Sequence, residues 1–115
     1  MKYMLLLYRD ESRFKRTDSE MSAPYIAYTQ ALMGAGVLAG GDRLQPVETA
    51  STVRQVNGET SVLDGPYADS KEQLGGFYII DVPDLDSALQ WAARCPGATQ
   101  GSVEVRPLFM MPPPK

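Results

Sequence analysis

Histidine is absent from all 115 residues, and cysteine occurs once, at Cys95. Without imidazole and with a single thiol, a metal would be left with hard oxygen ligands, and no EF-hand spacing is present to arrange them. One cysteine also excludes an internal disulfide and a Cys-based metal cluster, so the thiol reads as a small core hydrophobe. There is no GxGxxG or Walker pattern. Gly75 and Gly76 precede a strand-like run rather than open a helix, which fits close packing or a bulge better than a phosphate cradle. Nowhere do basic residues concentrate, and 11 Lys and Arg against 14 Asp and Glu leave a net charge of -3. A nucleic-acid partner is therefore disfavoured. The apolar run from Tyr3 to Tyr8 is too short for a signal-peptide core or a membrane span. The expectation is a cytoplasmic protein with no membrane contact, no metal and no cofactor.

What remains is the composition of a folded domain, with 43% apolar and 22% charged residues. The length allows one hydrophobic core, placed over residues 1–109, with a proline-rich C-terminal tail at 110–115 expected to be extended and mobile. KYMLLLYR at 2–9 is apolar on both alternating faces, the mark of a strand buried on both sides. Met21, Tyr25, Tyr28 and Leu32 recur at helical spacing; Pro24 sets the helix start near Glu20–Ala23, and Gly34 and Gly36 set its stop. VLAGGDRLQPVETA, with paired glycines and a proline, reads as a connection. Asn57-Gly58 between TVRQV and ETSVLD predicts a type I′ hairpin, with Val56 opposite Glu59 and Val53 opposite Val62. In FYIIDV, Phe77 and Ile79 face one way and Tyr78, Ile80 and Val82 the other. Asp84 stands as N-cap to a helix carrying Leu85, Ala88, Leu89, Ala92 and Cys95, which Pro96 and Gly97 end. SVEVRPLF forms the last strand.

These elements are taken as the βαββαβ order of a ferredoxin-like α+β fold, an antiparallel sheet with both helices on one face. The strands at 2–9 and 77–82 carry apolar side chains on the second face as well. With no further chain to cover that face, a second copy packed sheet against sheet is expected, closing a shared barrel-like space.

The segment DGPYADSKEQLGGFYIIDV, continuing through DLDSALQWAARCP to GSVEVRP, resembles the YCII-related family, specifically its DGPF-motif branch, with Tyr67 where that branch usually has Phe. The opening MKYMLLLY and the turn AGVLAGGDRLQP extend the resemblance over nearly the whole chain. It implies a dimeric α+β barrel with a cleft between the sheet and its partner. Some YCII-like proteins use a histidine and aspartate pair there, one of them to dehydrochlorinate an aromatic substrate; a chain without histidine cannot carry that pair. The DGPF branch is often encoded beside extracytoplasmic-function sigma factors, which implies a possible sigma-factor partner.

On the last strand Val103 and Val105 alternate with Glu104 and Arg106. If the valines face the helices, the acid and the base point to the enclosed side, where a guanidinium fork suits carboxylate or phosphate; the alternative is a solvated pair or an ion pair across the dimer. The loop after the hairpin offers Asp64, Asp69, Lys71 and Glu72. Asp64, closing its strand, is the candidate catalytic base and Lys71 a candidate anchor for an anion, although turn chemistry at Gly65 and Pro66 suffices to explain the loop. Tyr8 and Tyr78 either face a ligand or pack in the core. Three readings follow: a module binding or sensing a small polar or anionic metabolite in the dimer cleft, a small-molecule enzyme using carboxylate acid–base chemistry, or a protein-interaction regulator with an exposed apolar helix face.

Overall fold

The computed structural model describes residues 1–10, 18–67 and 71–110, with side chains in the second stretch from residue 23 onward. Strand β1 (Lys2–Arg9) buries Tyr3, Leu5, Leu7 and Arg9 on one side and leaves Met4, Leu6 and Tyr8 half-buried on the other. Helix α1 (Asp18–Gly34) follows and buries Tyr28 and Leu32. It starts earlier than the proline implies, so Pro24 falls in the second turn and removes one helical hydrogen bond there. Its stop is a Schellman motif. Gly36, at φ +73°, donates its N–H to the carbonyl of Met33 at 3.0 Å, and Val37 donates to Leu32 at 3.1 Å.

The chain continues as β2 (Leu38–Arg43), a 3-10 turn (Val47–Thr49), β3 (Ser51–Val56), β4 (Glu59–Asp64), β5 (Gln73–Asp81), α2 (Leu85–Arg94), α3 (Gly97–Gln100) and β6 (Ser102–Pro107). Four strands form an antiparallel sheet in the order β2-β5-β1-β6, while β3 and β4 form a separate two-stranded sheet. The fold is ferredoxin-like α+β. The five strand-like runs in the sequence are one more than βαββαβ holds; both runs of the Asn-Gly hairpin stand outside the main sheet, which leaves three. Its register is the expected one, with Val53 opposite Val62 and Val56 opposite Glu59. Asn57 (φ 51°) and Gly58 (φ 81°) supply the two positive-φ positions of the turn. The place in the main sheet goes instead to β2, part of the segment read as a connection. Glycine argues against a strand on propensity, but here it permits one. A Cβ on Gly41 (φ +148°) would lie 2.6 Å from the carbonyl oxygen of Phe77 on β5.

Helices α1 and α2 cover the same face. Tyr3, Leu5 and Leu7 of β1, Ile80 and Val82 at the end of β5, Tyr28 and Leu32 of α1, and Ala88, Ala92 and Cys95 in and after α2 make one core, with Val103 and Val105 packed against it. Complete burial of Leu5, Leu32 and Ile80 contributes about 1.5–3 kcal/mol each. Asp84 caps α2 by accepting the Ser87 N–H at 2.9 Å, and this bond holds its carboxyl below the usual carboxylate range. The Tyr28 hydroxyl donates to the Trp91 carbonyl at 2.6 Å and so ties α1 to α2. On the other face Met4, Leu6, Phe77 and Ile79 lie half-buried, and among the described residues no helix covers them. The tail at 111–115 lies outside the described residues.

Candidate functional site

A cavity of about 530 Å³ opens between the first half of α1 and the β2–β5 edge of the sheet. Glycine creates it. Gly41 and Gly76 lie on the helix side of adjacent strands, and a Cβ on Gly76 would lie 3.0 Å from the Asp42 carbonyl oxygen. Two strands this close, with no side chains rising at these two positions, leave space beneath the helix that a larger residue would fill. Gly75 has its own cause: it is the extra residue where the ladder passes from Leu7–Gly76 to Tyr8–Leu74, a bulge in β5.

Strand alternation decides which side chains reach the cavity. Arg9 continues the inward series Tyr3, Leu5, Leu7 and is buried; Arg43, opposite Gly76, stands on the same side. From α1 come Tyr25, Ile26 and Thr29, and from β5 Tyr78. The Tyr78 and Thr29 hydroxyls are 3.0 Å apart and hydrogen-bonded, and the Tyr78 ring meets that of Tyr28 edge-on at 5.3 Å. Tyr25 differs. Its hydroxyl lies over Gly97, where a Cβ would come within 3.3 Å of it, and among the described residues none hydrogen-bonds it.

Burial, and then the Cys95 thiol, push the Tyr25 phenol above its ordinary value, while the Arg9 and Arg43 guanidiniums pull the other way. Burial likewise raises Tyr78 against its bond to Thr29, and raises the Cys95 thiol against a hydrogen bond from the Gly97 backbone. Near neutral pH the phenols are protonated donors beside two fixed positive charges. That arrangement suits an anionic or strongly accepting group better than a cation.

The residues singled out from the sequence do not gather at one place. Tyr78 and Tyr8 line the cavity. Glu104 and Arg106 do stand on the sheet face away from the helices, but they pair with each other, Nε to Oε2 at 2.5 Å, with the Arg106 side chain 71% exposed. Asp64 ends β4 opposite Ser51 and is exposed; Lys71, also exposed, precedes β5; neither lines the cavity. Asp69 lies outside the described residues. Arg9, Arg43 and Tyr25 were not singled out. Extending the β1 alternation by one step would have turned Arg9 inward, but Arg43 could be placed only once β2 was known to be a strand. Among the described residues no group of three or more Cys, Asp or Glu side chains could hold a metal ion, and no helix is long and apolar enough to cross a membrane.

Residues 1–112 match the model of the YCII-related domain. A protein of Rhizobium meliloti (strain 1021), itself described as uncharacterized, is 42% identical over 119 residues, covering 98% of this chain and 96% of that protein.

Proposed function

From the premise that the chain belongs to the YCII-related family, and from the cavity beneath α1, we propose a binding or sensing module that takes a small polar or anionic metabolite and works as a homodimer. The observation that carries this reading is the convergence of Tyr25, Arg9 and Arg43 on a largely apolar, glycine-floored space of a size usual for small-ligand sites. A catalytic reading has less support, because Asp64, the candidate base, stands on the exposed hairpin away from these groups. The homodimer reading draws on the sheet face carrying Met4, Leu6, Phe77 and Ile79, which a second copy would cover. The family's DGPF-motif branch is the natural place for a chain carrying Asp64-Gly65-Pro66-Tyr67.

One observation favours a second reading. Leu85 and Leu89, one turn apart on α2, are 49% and 47% exposed, the kind of patch a regulatory protein partner such as a sigma factor would use. Native mass spectrometry of the protein purified from its own host separates the two. A dimer with a reproducible extra mass that Arg43→Ala removes supports the metabolite site. A bare particle that retains a second protein supports the regulator.

A further inference from the structure

Three features of the cavity narrow what it accepts. The first is the Tyr25 hydroxyl, held over Gly97, neutral near pH 7 and bonded by no described residue. It is an unused donor at the cavity wall. The second is the positive field around it. Arg9 and Arg43 act on that hydroxyl from the same side of the sheet, and because both have interactions of their own they serve as fixed charges rather than as idle donors. The third is the remaining surface, which Leu7, Ile26 and Leu38 make largely apolar.

A cation is excluded by the field. A dianion such as phosphate would have to shed its water into a largely apolar space, a large desolvation cost. The acid among the lining residues, Asp42, stands opposite Phe77 on the other sheet face and adds repulsion to any such dianion. A monoanion with an apolar body meets each condition. We propose that the ligand is an apolar carboxylate: the Tyr25 hydroxyl donates to its carboxylate within the field of Arg9 and Arg43, and its body lies over the Gly41–Gly76 floor. This deepens the binding reading above and rests on it.

Isothermal titration with hexanoate, hexylamine and inorganic phosphate tests the assignment on the full chain. The expected result is binding of hexanoate, none of hexylamine, and phosphate at least about tenfold weaker. Tyr25→Phe removes one hydrogen bond to a charged group and lowers hexanoate affinity about tenfold with an unchanged melting temperature. Gly97→Ala, which alters no charge but crowds that hydroxyl, lowers it in the same direction. Equal binding of hexanoate and hexylamine overturns the proposal, and so does wild-type affinity for hexanoate in Tyr25→Phe. If the particle from its host carries an uncharged polar ligand that Arg43→Ala releases and hexanoate does not bind, the carboxylate falls while the binding reading stands. If the particle is bare and none of the three probes binds, both fall.

Discussion

The four-stranded sheet and the β3–β4 hairpin are built from similar residues and end in opposite situations. Val53 and Val62 form a cross-strand apolar pair as good as any in the main sheet, yet they are 59% and 61% exposed, whereas Leu5 and Ile80 are wholly enclosed. Local pairing makes a strand; only what packs on it makes a core. The hairpin has its turn, its ladder and side-chain bonds such as Gln55 to Thr60 at 2.5 Å, all local. The sheet has α1 and α2 packed on it.

The contrast can be broken most forcefully at Leu5. Leu5→Ala should cost about 2–5 kcal/mol in urea unfolding, because the cavity it leaves is enclosed; a loss under 1 kcal/mol would mean that the core repacks freely and that burial does not separate the two regions. Gly41→Ala tests the sheet's other requirement, close strand approach, and should cost about 1–3 kcal/mol through its φ and the clash with Phe77. Tyr28→Phe, which removes the bond between α1 and α2, should cost about 1 kcal/mol.

The same core should be sensitive to alkali. Tyr28, Tyr25 and Tyr78 all have phenols raised by burial, so the stability they contribute is complete below the unfolded tyrosine value near 10 and is lost as pH rises toward the folded values. A urea midpoint that falls between pH 9 and 11 in the wild type, and falls less in Tyr28→Phe, is the expected record. Smallest of all is Val62→Ala, within about 0.5 kcal/mol. A larger loss that grows on dilution would show the hairpin to be covered in an assembly.

Much of this fold was legible in the chain because its signals are local. The alternation of KYMLLLYR, the Asn57-Gly58 turn, the Asp84 cap and the in-out pattern of Val103–Arg106 each needs only neighbouring residues to be read. Strand β2 was not legible, since Gly40 and Gly41 lower strand propensity and their fitness for the sheet depends on how near β5 comes. The cavity inherits that difficulty. Arg9, Tyr25 and Arg43 sit on three separate elements, and what unites them is an absence of side chains at Gly41 and Gly76, which no spacing along the chain records. Tyr78 was readable as a buried phenol needing a partner, and Thr29 is that partner.

The missing histidine acquires a meaning at the cavity that composition alone does not suggest. Among its described residues the wall holds guanidiniums, neutral phenols, the Asp42 carboxylate and apolar groups beside a thiol whose titration burial has pushed upward, so no imidazole is there to change charge across the range from about pH 6 to 8. Under the binding reading proposed above, any change of occupancy with pH in that range would come from the ligand's own ionisation rather than from these groups.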